Sequence, residues 1–415
     1  MLQALSIRQA QQAPMHLFHR PELARSVAKI LMSEAGQRGM LLSGPRQTGK
    51  STFVQWDLIP LLAESHGAHV VYIDLSADCD VDPAVSIVQA LRDEVRSFDG
   101  LVMRVARGLG LTNIRLGGLE MDVAQAHATH SKRTFGLLRG LARAANRPVV
   151  IVLDEVQLCQ QSQESRQLLI ALTRSAARLS RERECRVRVL ATGSHAHKLR
   201  AFVESKYDAF YGGRICALPL LGDGFVAWMR DRLREPVRPT AELMAQGFQK
   251  LLHRPQELID VCDQLRDAGA RSQLGADQTY QQLVDYRCAE GRDDLMRKLR
   301  SLGAVELALV RVMAETGPRF APHQAWCKKR TAALIEVMQG APHAVLLTMA
   351  EVDLALDRLA SKAIIWRGVG SEFEEPRYAS WILEMDPAAD FCVETQELPE
   401  LASGTHGLVY PVLLS

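Results

Sequence analysis

Short apolar runs rich in β-branched residues alternate with longer amphipathic stretches through the first half of the chain, and beyond Leu221 only the amphipathic stretches continue. The short runs are Met40-Leu41-Leu42, His69 to Leu75, Pro148 to Leu153, Val187 to Ala191 and Ile215 to Leu220. Between them lie Ala84 to Arg107, Val123 to Ala145 and Ser165 to Leu179, each with the spacing of a helix that buries one face. Strands that are apolar throughout and separated by helices predict an α/β fold with a parallel sheet covered on both sides. More chain separates the second run from the third than one crossover helix requires, which predicts an insertion over about 84–146. Its glycine-bearing middle, Leu109 to Met121, reads as an irregular or hairpin element to which the pattern assigns no role.

From Gly222 to Leu302 the pattern predicts helices broken near Pro236, Pro239 and Pro255. A further helix, Ala304 to Glu315, places Val305, Leu309, Val312 and Met313 on one stripe, and Met349 to Ser361 carries Val352, Leu354, Leu356 and Leu359. Lys362 to Arg367, a glycine-containing turn and a returning segment at Arg377 to Leu383 then read as a hairpin. Helices followed by a hairpin suggest a winged helix-turn-helix. The expected domains are therefore 1–221 (α/β core), 222–302 (helical lid), 303–385 (winged helix) and 386–415 (tail).

Composition changes this picture little. Of 415 residues, 47% are hydrophobic and 24% charged, as in ordinary globular chains, and the length calls for more than one domain. A net charge of +2 excludes a strong whole-molecule field for nucleic acid and leaves local basic patches open. The eight cysteines are scattered, with no metal-ligand spacing, as expected for a reduced cytoplasm. No signal peptide and no run of about 20 apolar residues occurs, so no membrane partner is expected.

The chemistry concentrates behind the first strand. Gly44-Pro45-Arg46-Gln47-Thr48-Gly49-Lys50-Ser51 fits G-x-x-x-x-G-K-[ST], the loop whose backbone N–H groups surround phosphates at a helix N-terminus. It predicts a nucleoside triphosphate, taken as ATP, with Mg2+. Lys50 would reach the β- and γ-phosphates and Ser51 would ligate the metal, with Thr52 beside them. The third strand ends in Asp154-Glu155, two carboxylates at the edge where ligands of open α/β sheets gather. Asp154 is the candidate Mg2+ holder and Glu155 the residue that polarises water.

Three further residues have a functional and a plain reading. Ser194, in Ala191-Thr192-Gly193-Ser194-His195, suits sensing of the γ-phosphate, as Thr192 does, or capping of the next helix. Arg214 suits an arginine finger acting on a neighbouring subunit or a surface salt bridge. Arg254, in His253-Arg254-Pro255, suits a lid arginine or a solvated side chain.

Together these residues resemble the AAA+ superfamily of P-loop ATPases, and within it the archaeal-type group related to origin-recognition and STAND ATPases. Phe18-His19-Arg20-Pro21-Glu22-Leu23 is similar to the F-x-x-R-x-x-L run that packs near adenine, one residue shorter. Gly44 to Ser51 matches Walker A, Asp154-Glu155-Val156-Gln157 resembles the D-E-x-Q form of Walker B, and Thr192-Gly193-Ser194 resembles sensor one. Gly213-Arg214-Ile215 through Pro219-Leu220 resembles the G-R-I…P-L signature that closes the core. The resemblance implies strand order 5-1-4-3-2, a helical lid and often a C-terminal winged helix. At the lid, His253 stands where a G-x-P sensor-two motif would have glycine.

Three functions follow as expectations: an ATPase whose cycle remodels or assembles a partner, a DNA-binding regulator or loader assembled by ATP, and a nucleotide-gated protein adaptor. The expected partners are accordingly a homo-oligomer, duplex DNA at the winged helix, or another protein. For DNA, Arg358, Lys362 and Arg367 stand among Glu351, Asp353, Asp357, Glu372, Glu374 and Glu375, whereas Lys328-Lys329-Arg330 with Arg319 forms a more promising basic cluster or a solvated face. For a protein partner, Trp366, Tyr378 and Trp381 are either exposed anchors or core residues.

Overall fold

A computed structural model describes residues 17–391 except 79, 109–129, 182–185, 195–198, 270–273, 340–346 and 368–370. The expected irregular element at Leu109 to Met121 and most of the C-terminal tail lie outside the described residues. The chain divides into two compact units, Met1–Ala289 and Glu290–Ser415.

The first unit is built on a five-stranded sheet. Its strands are β1 (Met40–Ser43), β2 (His69–Asp74), β3 (Val149–Asp154), β4 (Val187–Gly193) and β5 (Arg214–Ala217), all paired in parallel in the order β2-β3-β4-β1-β5. This is 5-1-4-3-2 read from the other edge. Alternate residues of each strand face opposite sides. Leu41, Val71, Ile73, Ile151, Leu153, Val189 and Ala191 join one core with residues such as Ile87, Leu138 and Leu168, which belong to α4 (Pro83–Gly108), α5 (His130–Ala145) and α6 (Gln163–Leu179). Met40, Leu42, Tyr72, Val150, Val152 and Leu190 join the other core with Ala24, Val27, Leu31, Phe53 and Leu62. Those helices are α1 (Pro21–Met32), α2 (Lys50–Phe53) and α3 (Ile59–His66), the last two joined by a π-helical turn at Val54–Leu58. The continuous apolar runs are thus explained: β1, β3 and β4 are buried along their whole lengths, whereas β5 is an edge strand with exposed ends. The last strand was expected at Ile215 to Leu220. It spans only Arg214–Ala217, because pairing ends with Ser43 and the chain turns away at Leu218.

A helical subdomain completes this unit: α7 (Asp223–Arg230), α8 (Ala241–Lys250), α9 (Pro255–Gly269) and the start of α10 (Ala276–Arg300). Phe225, Met229, Met244, Phe248, Leu258, Cys262 and Tyr280 form its core. Pro255 stands at the first position of α9, where its missing N–H costs nothing.

In the second unit, α11 (Ala304–Thr316), α12 (Ala325–Gln339) and α13 (Met349–Ser361) precede a two-stranded antiparallel ribbon, β6 (Ile365–Arg367) with β7 (Ser371–Phe373), and α14 (Arg377–Glu384). The stripe on α13 is Val352, Ala355, Leu356 and Leu359, while Leu354 is exposed because it lies off that face. The hairpin expectation needs correction as well. The returning strand is Ser371–Phe373, and the segment at 377–384 is helical, because Tyr378, Ile382 and Met385 repeat at three-to-four-residue spacing and bury together. Tyr378 is buried and Trp381 packs against the same core, so these two aromatics form no exposed anchor.

Candidate functional site

Period-two alternation decides which polar side chains meet at the C-terminal edge of the sheet. Asp74 lies opposite Asp154 and Tyr72 opposite Val152, and Thr192 follows Leu190 by two residues. Tyr72, Asp154 and Thr192 therefore share the face that carries Lys50 and α2.

Within the phosphate loop, Gly44 N–H donates to the Gly193 carbonyl at 3.2 Å, and Leu218 N–H donates to the Ser43 carbonyl at 2.7 Å, which ties the loop to both neighbouring strands. Thr48 Oγ1 and Lys50 Nζ donate to the same Pro45 carbonyl at 2.8 and 3.0 Å. Gly49 adopts φ +86° as the N-cap of α2, a conformation that glycine enters without a Cβ penalty. Gln47 at φ 61° and Glu155 at φ 57° are left-handed without being glycine, a strain typical of ligand-holding loops.

Lys50 is 5% exposed, and its ammonium lies 3.7 Å from Glu155 Oε1. Burial lowers its pKa, and the attraction of Glu155 and Asp154 opposes that effect only in part. Asp154 is 1% exposed. Its Oδ2 accepts the Tyr72 hydroxyl at 2.6 Å and its Oδ1 accepts the Thr192 hydroxyl, whose oxygen in turn accepts the Glu155 N–H at 3.2 Å. Glu155 Oε2 accepts the Gln157 side-chain amide and, at 3.3 Å, the Ser194 hydroxyl.

Lys50 and Glu155 open onto a cleft of about 590 Å³, ordinary for a small-molecule site, and the Asp154 network lies buried behind them. Gln47, Gly49, Lys50, Ser51, Thr52 and Glu155 form its phosphate-loop end. Phe18, Arg20, Phe53, Asp57, Leu221 and Phe225 line the other end, and Pro255 to Glu257 with Ile259 and Asp260 form the helical wall. Phe18 packs edge-on against Phe225 and Trp228, both at 5.6 Å, which gives this end of the cleft an aromatic wall. Asp57, in the π-helical turn, holds the Phe18 segment by accepting the Arg20 N–H at 3.1 Å and pairing with His19 at 2.7 Å.

Most of the sequence-derived site thus comes together: Gly44 to Thr52, Asp154, Glu155 and Ser194 converge. Arg214 does not join them. It is exposed and pairs in register with Met40, at the opposite end of β1 from the loop, so any role in hydrolysis requires another subunit's site. Arg254 is buried directly before α9, while Pro255 next to it forms the cleft wall. Tyr72, Asp57 and Gln157 have site contacts that the linear pattern left unassigned. For Tyr72 the signal was available in the strand register, two residues before the position that faces Asp154.

Residues 16–187 match the AAA ATPase domain. The matched stretch holds the phosphate loop, Tyr72 and the Asp154-Glu155 pair, and it ends before Thr192, Ser194 and the helical subdomain. No curated protein matches the sequence. Among solved structures, the Walker-type ATPase of Pyrococcus abyssi is similar at 15% identity, over 91% of this chain and 99% of that one, with a TM-score of 0.49. The ORC2 protein of Aeropyrum pernix in ADPNP–ADP complexes is similar at 15% identity, over 90% and 95%, with a TM-score of 0.46. The ORC1 protein of the same organism in complex with DNA gives 15%, 90%, 94% and 0.46.

Proposed function

We propose that this AAA ATPase core binds and hydrolyses ATP with Mg2+, and that nucleotide state is a switch by which the protein assembles with or remodels a partner. The observation that carries the reading is the buried Lys50 ammonium 3.7 Å from Glu155, at the mouth of a phosphate loop, with both residues lining one cleft and the buried Asp154 next to Glu155 in the chain. Backbone N–H groups of Gly44 to Ser51 hold the phosphates, and Lys50 exchanges its Pro45 carbonyl for phosphate oxygens. Phe18 and Phe225 flank the base.

The donor set fits Mg2+. Each Asp154 oxygen accepts one hydrogen bond and keeps a second lone pair, and the partly exposed Ser51 lines the cleft with a hydroxyl oxygen to offer. Ser51 and Asp154 would hold the ion, Asp154 through water, and the bound ion would neutralise charge on the phosphates. Glu155 orients the attacking water and takes its proton. Ser194 senses the γ-phosphate, Arg254 acts from the lid, and Arg214 serves as a finger only in trans.

The domain reading that accompanies this function is a core over 1–221, a lid over 222–302 and a winged helix over 303–385. Helices α11 to α13 followed by the β6–β7 ribbon support the last. Duplex DNA is one partner class. Within the basic cluster Arg330 is bound to Glu315 through both its Nε and Nη2 at 3.0 Å, which leaves Arg319, Lys328 and Lys329 as the phosphate-contacting candidates. A second copy of the chain and another protein are the alternatives. Mass measurement in solution on Glu155→Gln, with ATP, ADP or no nucleotide and with or without duplex DNA, tests the switch. ATP-dependent growth in mass is the expected result, and one mass under all conditions contradicts it.

A further inference from the structure

We propose that Gln157 is the positioning residue of the hydrolytic site: its amide locks one oxygen of Glu155 so that the other alone serves the attacking water, and Ser194 acts through that lock. The inference rests on the ATPase reading above.

Gln157 is 1% exposed, in the 3₁₀ turn Val156–Gln160 that Glu155 initiates with its left-handed backbone. Its Nε2 donates to Glu155 Oε2 and, at 3.0 Å, to Ser194 Oγ, while the Ser194 hydroxyl donates to the same Glu155 oxygen at 3.3 Å. The three side chains close a triangle. The amide nitrogen must face the carboxylate, because an amide oxygen there would set acceptor against acceptor. The remaining Gln157 Oε1 has no hydrogen-bond partner among the described residues. A Cβ on Gly193 would stand 2.9 Å from it, so a glycine keeps the space that lets the amide turn its nitrogen inward. A buried glutamine with an unpartnered oxygen is held for what its nitrogen does.

Two donors fill the lone pairs of Glu155 Oε2. Oε1, on the Lys50 side at 3.7 Å, is the oxygen left for chemistry. In the hydrolytic step the water oxygen bonds to the γ-phosphorus and a water proton passes to Oε1. The bond from the γ-phosphorus to the bridging oxygen breaks, and its electron pair leaves with ADP. Inorganic phosphate then takes the proton back.

The test compares wild type, Gln157→Met, Gln157→Glu, Ser194→Ala and the Gln157→Met/Ser194→Ala double variant by steady-state ATP hydrolysis and by ATP affinity at equilibrium. Gln157→Met removes both donors at similar length, and kcat should fall by about tenfold to a hundredfold while the ATP Kd stays within about twofold. The double variant should be no more than about twofold below Gln157→Met, since both act through one oxygen. Should Gln157→Met fail to fold, Gln157→Glu keeps the shape and sets a second carboxylate against Glu155, and it should lose at least as much kcat. Unchanged kcat, a Kd that rises in step with the loss, or additive effects would overturn the lock alone. A wild type that binds ATP without hydrolysing it would overturn the lock and the ATPase reading together.

Discussion

Tyr72 shows what a single side chain contributes at this site. Its hydroxyl is a buried donor to a carboxylate that is itself buried, and burial first, then the charge of Asp154, raises its pKa above the ordinary 10.0. Tyr72→Phe should therefore cost about 1.5–3 kcal/mol at neutral pH, read by chemical denaturation, because it takes a hydrogen bond from a charged group. The folded protein holds this proton more tightly than the unfolded chain does. The contribution is thus complete below pH 10.0 and lost progressively above it. Wild type and Tyr72→Phe should converge in stability as pH rises beyond that point. A difference that stays constant through the alkaline range would contradict the linkage. At this scale the sequence was legible where chemistry is written as a motif, as in Gly44 to Ser51 and Asp154-Glu155. Tyr72 was opaque because only register aims it at Asp154, and Gln157, present in the D-E-x-Q run, had no role there because only the left-handed turn at Glu155 brings its amide back to the carboxylate.

Among elements, the apolar strands were legible because residues buried on both faces leave no polar alternation to mistake for another pattern. The second unit was harder. Its returning strand is three residues long, and the aromatic run at 378–383 has β propensity that helical burial of Tyr378 and Ile382 overrides. The basic cluster on α12 divides for a similar reason, since Arg330 is drawn to Glu315 on α11. Burial works to raise the Glu315 pKa, but hydrogen bonds from Arg330 and Arg311 outweigh it and hold the carboxylate below 4.5. The pairing therefore stabilises above that pH and fades as pH falls through the lowered value. Arg330 is half exposed, so Arg330→Ala should cost no more than about 1 kcal/mol at neutral pH and low salt, and less at pH 3. Urea titrations at the two pH values check this, and a cost that grows on acidification would contradict it.

For the whole molecule, each of the two units carries its own hydrophobic core, and every residue at the cleft belongs to the first. Calorimetric melting should show ATP raising the transition of the first unit, by about 2.7 kcal/mol in stability at a hundredfold excess over Kd, with a second transition unmoved. A single transition shifted as one would show that the two cores melt together. The account depends on one triphosphate shared by Lys50, Asp154 and Glu155, and the most direct measurement is phosphate release set beside ATP binding for wild type, Lys50→Ala and Glu155→Gln. The prediction is lost binding in Lys50→Ala, and in Glu155→Gln near-wild-type binding with turnover reduced by about a hundredfold or more. Phosphate release by Glu155→Gln equal to that of wild type would contradict the account.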